Sequence, residues 1–496
     1  MGDDMAEAYE TLIVGAGLSG FAVATELARR GVSRVAIVEA GGIGATNPRD
    51  ILSGTGISPL LSGTADDADL PRWCPWISEA RPHYAAPAGL RRRVGGRSLC
   101  WHGVVLRMDS WECGDATPWP PEITRDLFGT GNGGMYDRVE HELREWVGGP
   151  LDEARTLSEV HLRDWVSSLG YPGVRPAPLA ARNSQGPHTG ELPAYTPLRV
   201  WTEEFAREHP LPDVLVHREV LAVRLAHGRV SGLQVRHRTS GSTEFIPARR
   251  VVLAAGTIEN TRLDAQANHP AEDPTYPGLN DHIVQGFAVT VPISVLGSTR
   301  HRDGGCLVLR GDGSTRFNLF FKMRGTLSPD QVTLDIWTMG EQERSDRNRI
   351  SFPDTSSLPW AASVSTGLTA RDRQLVEAEQ EVLHEVWQHS AKALDLPHQS
   401  LHFDEFLRNS QPIGTAYDAA ASQPGRPVPF SAALGSIDHE GGTLPLGSVV
   451  GVSGEILGCA GLYVTGPAVF PRTGAANPSL TTLALARRLA ADLAEH

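Results

Sequence analysis

The 496-residue sequence has no apolar run approaching the roughly 20 residues a membrane-spanning helix needs, so a helical membrane protein is not expected. Its first seven residues, Met1 to Glu7, lack the basic start and apolar core of a secretory leader. Long basic stretches are also missing. Arg91, Arg92 and Arg93 form a short cluster against a net charge of -13 and a pI near 5.8, which argues against nucleic acid or an anionic membrane as the main partner. Cysteine is sparse: Cys74, Cys100, Cys113, Cys306 and Cys459 are scattered, odd in number and without metal-ligand spacing. Reduced thiols, no structural zinc and a soluble cytoplasmic protein are the expectations. With 40% hydrophobic and 21% charged residues, the chain can bury a large core, and its length suggests two domains.

What the sequence does contain is concentrated first between Tyr9 and Gly42. An apolar run, Thr11 to Val14, leads into Gly15-Ala-Gly17-Leu-Ser-Gly20, then a helical pattern, then Val35 to Val38 closed by Glu39. This spacing predicts strand, glycine turn, helix and strand, a βαβ dinucleotide site. Gly15 permits the tight turn, Gly17 lets the backbone approach a pyrophosphate, and Gly20 lets helix and strand pack closely. The helix N-terminus then faces the phosphates. Glu39 lies nineteen residues after Gly20, where a carboxylate accepts from ribose hydroxyls and repels a 2′-phosphate.

About fifty residues rich in Gly, Pro, Asp and Trp follow, ending in Arg93-Val-Gly95-Gly96-Arg-Ser-Leu-Cys100-Trp101-His102, where paired glycines again invite a ligand. The spacing of Met135, Val139, Leu143 and Trp146 predicts an amphipathic helix from Met135 to Val147. Short strands are expected around Val214, Val220 to Val223, Val230 to Val235 and Phe245. Arg250 to Gly256 reads as a further apolar strand ending at a helix start, the returning half of the nucleotide-binding sheet. Between about 290 and 430, strand-like runs at Cys306 to Leu309, Arg316 to Lys322 and Val332 to Trp337 accompany an amphipathic helix from Gln374 to Leu394. The last sixty residues hold Ser436-Ile-Asp-His439, Gly461 to Gly466-Pro, and a final helix for which Asn477 suits the N-cap and Pro478 the first position.

Taken in order, these pieces resemble the glucose-methanol-choline (GMC) flavoprotein oxidoreductases. The matching segments are Gly15/Gly17/Gly20/Glu39, Val94-Gly95-Gly96, Met135 to Glu140, Ala254-Ala-Gly256, Asn280-Asp281-His282, the His439 segment and Asn477-Pro478, spanning nearly the whole chain. Arg93 to His102 and the His439/Asn477 combination are closer to the pyranose oxidase branch. The resemblance implies an α/β fold: a discontinuous Rossmann-like FAD-binding domain (1–290 and 437–496) and a second, α+β substrate-binding domain (291–436). It implies FAD as cofactor, with Gly15, Gly17, Gly20, Glu39, Gly95, Gly96, Cys100, His102, Val220, Gly256, Gly466 and Pro478 on its binding side.

The implied reaction is oxidation of an alcohol, of a sugar, polyol or small secondary metabolite, to a carbonyl, with oxygen or another acceptor reoxidising the flavin. A neutral imidazole suits removal of the hydroxyl proton, which selects His439, and the Asn477 amide can donate to the same oxygen. An Asn that caps its own helix, however, cannot also reach a substrate. The helix N-terminus beside it would stabilise negative charge growing on the flavin. His282 reads as structural. FAD is expected to be noncovalent, with Cys100 packed as a small apolar group; a link through Cys100 or His102 is the alternative. A flavoprotein lyase of the same fold, acting at a carbinol carbon without net redox change, is the alternative.

Overall fold

The computed structural model describes residues 8–43, 72–73, 76–78, 90–99, 101–114, 118–129, 133–182, 194–197, 212–269, 273–297, 305–397, 399–403 and 413–495. Two main sheets use the strands β1 (Tyr9–Val14), β2 (Val35–Val38), β3 (Arg175–Pro176), β4 (Asp213–Leu215), β5 (Arg218–Ala226), β6 (Arg229–His237), β7 (Thr243–Leu253), β8 (His282–Pro292), β9 (Leu307–Leu309), β10 (Phe317–Gly325), β11 (Gln331–Glu341), β12 (Val428–Ser431) and β13 (Leu462–Val464). The helices that matter are α1 (Leu18–Arg29), α2 (Met135–Val147), α3 (Leu157–Ser168), α4 (Thr257–Asn268), α5 (Ala370–Ala393), α6 (Ile413–Ser422) and α7 (Ser479–Glu495).

The first sheet runs β4-β2-β1-β7-β6-β5, with β13 also paired to β7. Strands β4, β2, β1, β7 and β13 are parallel, and α1 joins β1 to β2, so the N-terminal segment folds as the expected βαβ unit. All four residues of β2 are buried, as a parallel strand covered on both faces requires. One expectation changes. The runs near Phe245 and Arg250 form a single strand, β7, that changes partner midway: 243–247 pair antiparallel with β6, and 248–253 pair parallel with β1. Pro247 stands at the changeover, where the missing N–H costs no ladder bond. The chain's two ends meet here: Arg487 of α7 donates to the Ala22 carbonyl and to Thr25 Oγ1 of α1, both at 2.8 Å.

The second sheet, β12-β8-β11-β10-β9-β3, is antiparallel. It draws in β3 and most of β8, segments that the sequence reading assigned to the stretch before residue 291. Its strands alternate faces. Phe287, Val289, Leu319, Phe321, Met323, Leu334 and Ile336 form one face and pack with Leu383, Val386 and Trp387 of α5. The opposite residues look toward the first sheet. α5 begins four residues earlier than expected because Thr369 and Asp372 form a capping box, with Thr369 Oγ1 accepting from Asp372 N at 3.1 Å and Asp372 Oδ2 from Thr369 N at 2.8 Å. A small third sheet combines Trp76–Ser78, Thr275–Pro277, Arg349–Ser351 and Ala362–Ser365.

Candidate active site

A cavity of about 440 Å³ lies between the carboxyl ends of the parallel strands and the open face of the second sheet. Parallel sheets place ligands at such strand ends. Of the residues singled out from sequence, Gly15, Gly17, Glu39, Gly96, His102, Val220, Gly256, His439, Asn477 and Pro478 all line it. Gly20, Gly95 and Gly466 are not among its lining residues, and Cys100 lies outside the described residues.

The glycine turn is built as its spacing implies. Gly15 has φ +102°, and a Cβ on Gly20 would sit 2.0 Å from the Gly15 carbonyl oxygen, so both positions exclude a side chain. A Cβ on Gly17 would meet nothing within 4 Å: the space in front of the α1 N-terminus is open. The second turn is fastened to the first, since Gly95 N donates to the Ala16 carbonyl at 2.8 Å. Glu39 is buried and accepts from Ala16 N at 2.9 Å and Gly41 N at 2.8 Å, one bond to each oxygen. Burial pushes its carboxyl up while those two bonds pull it down. The Val220 carbonyl accepts from Arg262, itself paired with Glu259 at 2.6 Å.

At the other end of the cavity stands His439, brought there by main-chain pairing between distant segments. Asn280 and Gly441 exchange hydrogen bonds of 3.1 and 2.9 Å, which sets Asn280-Asp281-His282 beside Asp438-His439-Glu440. Arg97, in the 3-10 turn Gly96–Leu99, reaches across to Glu440 at 2.6 Å and to Asp438 at 3.4 Å. Thr257 of α4 donates to the Glu440 carbonyl at 2.7 Å. His439 therefore hangs on a loop clamped on both sides.

The nitrogen Nδ1 of His439 lies 3.1 Å from Nδ1 of His282, with the rings nearly perpendicular at 80°. His282, expected to be structural, is thus the partner of the candidate base. Two such nitrogens at this distance require one N–H and one lone pair. The backbone at Gly474 and Ala476 favours the charged form of His282 against the effect of burial, and its Nε2 has no hydrogen-bond partner among the described residues. With His439 as the donor from Nδ1 and His282 as the acceptor, His439 keeps a bare Nε2. Burial first, then His282 and Arg97, hold the His439 imidazole well below its ordinary pKa and therefore neutral. Burial likewise pushes His282 down to about 4.

Asn477 corrects an expectation. Helix α7 spans Ser479–Glu495, and Asn477 Oδ1 is buried without a hydrogen-bond partner, so the side chain does not cap the helix. It is available to the cavity it lines. Its position comes from the preceding loop, where Glu112 accepts from Ala475 N at 2.6 Å and Ala476 N at 2.8 Å, and Asn318 donates to the Ala475 carbonyl at 2.7 Å. Arg472 forms a buried pair with Glu341. Charge-assisted bonds of this kind are worth roughly 1.5–3 kcal/mol each, enough to hold a loop in one conformation. Pro478, Ser479 and Thr482 of the first turn line the cavity, placing the positive end of α7 there.

The far wall was not anticipated. Phe320, Lys322 and Arg324 of β10 and Asp335, Trp337 and Met339 of β11 all face the cavity. The signal was present as alternation: charged residues at even positions within an otherwise apolar strand.

Comparison with known proteins agrees with this architecture. Residues 349–486 match the family profile described as GMC oxidoreductase. A C-glycoside 3-oxidase from Arthrobacter globiformis is 26% identical over 435 residues, covering 82% of this chain and 75% of that protein. A C-glycoside 3-oxidase from Microbacterium trichothecenolyticum is 28% identical over 57% of this chain and 54% of its own length. Among solved structures, pyridoxine 4-oxidase from Mesorbium loti superposes with a TM-score of 0.67 at 17% identity, covering 98% of this chain and 99% of that one. A formate oxidase from Aspergillus oryzae gives 0.62 at 15% identity over 99% of each chain. Fold and relatives define an oxidoreductase acting on CH–OH donors. The C-terminal part of the chain, residues 349–486, resembles the GMC oxidoreductases, an FAD-dependent family. Among the described residues no helix is long and apolar enough to cross a membrane.

Proposed function

We propose that this enzyme oxidises a CH–OH group of a sugar, polyol or small secondary metabolite to a carbonyl, with His439 as general base and FAD as cofactor. The observation that carries the reading is convergence: the Gly15–Glu39 unit, the His439 loop and Asn477, from opposite ends of the chain, line one cavity. FAD supplies the hydride acceptor. Open space before Gly17, at the N-terminus of α1, suits a pyrophosphate, and Glu39, oriented by two backbone N–H groups, suits ribose hydroxyls. This supports a discontinuous Rossmann-like FAD-binding domain built from both ends of the chain, with the second sheet, which takes in Arg175–Pro176 and β8 from His282, supplying the substrate side.

The bare Nε2 of His439 takes the proton from the substrate hydroxyl as its C–H bond is broken, while the Asn477 amide donates to the same oxygen and orients the carbon. The positive end of α7 favours negative charge nearby. The name of the two curated relatives, C-glycoside 3-oxidase, supports a sugar-bearing substrate. Anaerobic addition of an alcohol substrate should bleach the visible absorbance of the purified holoenzyme. His439→Ala should retain FAD and bleach at least about a hundredfold more slowly, the usual scale for a lost base. Bleaching at the unaltered rate would overturn the assignment.

A further inference from the structure

Two carboxylates flank the candidate base in the chain, and one arginine meets both. Asp438 and Glu440 stand on either side of His439. Arg97 donates from Nη1 to Glu440 Oε1 at 2.6 Å and pairs through Nε with Asp438 Oδ1 at 3.4 Å. Two nitrogens of a rigid planar guanidinium thus fix the residues before and after His439, a hold that a single ammonium cannot reproduce. Asp438 has φ +60°, in the left-handed region. A residue other than glycine stays there where its surroundings determine the conformation.

Arg97 is itself placed by the second glycine turn. Gly95 N donates to the Ala16 carbonyl at 2.8 Å, Gly96 N to the Arg93 carbonyl at 2.8 Å, and Ser98 Oγ to the Gly95 carbonyl at 2.6 Å. A Cβ on Gly96 would lie 3.3 Å from the Gly17 Cα, so this turn packs against the turn that opens α1. Arg97, Gly17 and His439 line the same cavity. One side chain therefore spans from the glycine turns to the loop that carries the base.

The other titratable groups around His439 carry little charge at neutral pH. His282, at the start of β8, is pushed down to about 4 by burial, with Glu341 acting the other way. His102 is held well below its ordinary pKa by burial and then by Lys322 and Arg324. Asp281, beside the loop, is pushed up to about 8 by burial and then by the Glu440 charge. The charges next to the imidazole are thus those of Arg97, Asp438 and Glu440, and the cation opposes protonation of His439.

We propose that Arg97 is a positioning residue for the oxidation: by holding Asp438 and Glu440 at once, it ties the His439 loop to the glycine turns and fixes where the base meets the substrate hydroxyl. This rests on the oxidation reading above. A base displaced by about an ångström loses much of its advantage, so a two-point hold on its neighbours bears directly on rate.

The test uses FAD holoenzymes of Arg97→Gln, Arg97→Lys and the double variant Arg97→Gln with Glu440→Gln, with FAD content and thermal midpoint as controls. Stopped-flow flavin reduction across pH, with D-glucose, glycerol and benzyl alcohol as donors, gives rates and the acid limb. NMR of protein labelled with 15N-histidine gives the His439 titration midpoint, its signal assigned by its loss in His439→Gln. Arg97→Gln should slow the limiting rate of reduction at least about tenfold while KM changes less than about threefold. Removing the cation beside the imidazole and leaving both carboxylates should raise the acid limb and the NMR midpoint by about one pH unit or more. Arg97→Lys keeps the charge without the two-point hold, so its limb should stay near the unaltered position while the rate recovers in part. The double variant should be slowed no further than Arg97→Gln, because the pair is already broken. An unaltered rate and limb in Arg97→Gln overturn the proposal. So does a lowered thermal midpoint with the limb and NMR midpoint unmoved, which marks a contribution to folding alone. Should Arg97→Gln fail to hold FAD, Arg97→Lys decides: the full rate overturns the two-point hold, and a reduced rate with an unmoved limb supports it. If none of the three alcohols reduces the unaltered holoenzyme, the oxidation reading fails by itself, and the NMR midpoint still decides whether Arg97 governs His439.

Discussion

Replacing His282 by Ala tests the arrangement around the base more sharply than replacing the base itself. His282 is buried, and its Nδ1 is the only directed hydrogen-bond partner of His439 among the described residues, at 3.1 Å. Without it, the His439 Nδ1–H is left unpaired in a buried setting, a penalty of about 1–3 kcal/mol borne by the tautomer that has a bare Nε2. That corresponds to a loss of about fivefold to about 160-fold in the rate of flavin reduction. Burial is the largest cause holding the His439 pKa down, and removing the His282 ring opens that burial, so the pKa rises. Because the base works only when neutral, activity falls as pH drops through the His439 pKa, and in His282→Ala this acid limb moves to higher pH. Stopped-flow reduction across pH, with FAD content and thermal midpoint as controls, reads both effects. His282→Gln, which restores an acceptor, should recover part of the rate. An unaltered rate with an unaltered acid limb would refute the pairing.

Two other outcomes follow from burial and close approach. Gly20→Ala forces a Cβ against the Gly15 oxygen at 2.0 Å, so α1 must withdraw by more than an ångström. The cost is about 1–3 kcal/mol or more, and the purified variant should be depleted of FAD by its absorbance ratio; full flavin content would contradict the tight turn. Glu379 of α5 is fully buried, with Oε2 accepting from Gln285 at 2.8 Å, and burial pushes its carboxyl from 4.5 up to about 8. A carboxyl raised in the folded state contributes stability below pH 4.5 and loses it as pH rises toward 8, by at most about 5 kcal/mol at roughly 1.4 kcal/mol per pH unit. Glu379→Gln should therefore gain stability over the unaltered protein between pH 5 and pH 8 in urea unfolding. Parallel pH curves would count against a neutral buried acid.

Local patterns carried a good deal of this. Helix α2 runs from Met135 to Val147 as its spacing predicts, because a strong apolar period is closed by glycines at 134 and 148. The β1–α1–β2 unit and the place of Glu39 were likewise legible, since turn, helix start and strand end all fall within a span of thirty-odd residues. By contrast, the start of α5 at Ala370 was readable only by noticing the Thr369/Asp372 box, and the single strand β7 was split because Pro247 looks like a break until its two partners are known.

The sequence by itself determined the glycine turn, the acid that follows it and the presence of His439 near a C-terminal helix, because each depends on φ, on residue type or on spacing along one segment. Tertiary structure decided that His282 stands beside His439 across 157 residues, that Asn477 leaves its helix uncapped, and that Lys322 faces the cavity rather than the α5 core. Those outcomes turn on which strands pair and in which register. A one-residue slip in the β10–β11 pairing would send every side chain of that wall to the opposite face.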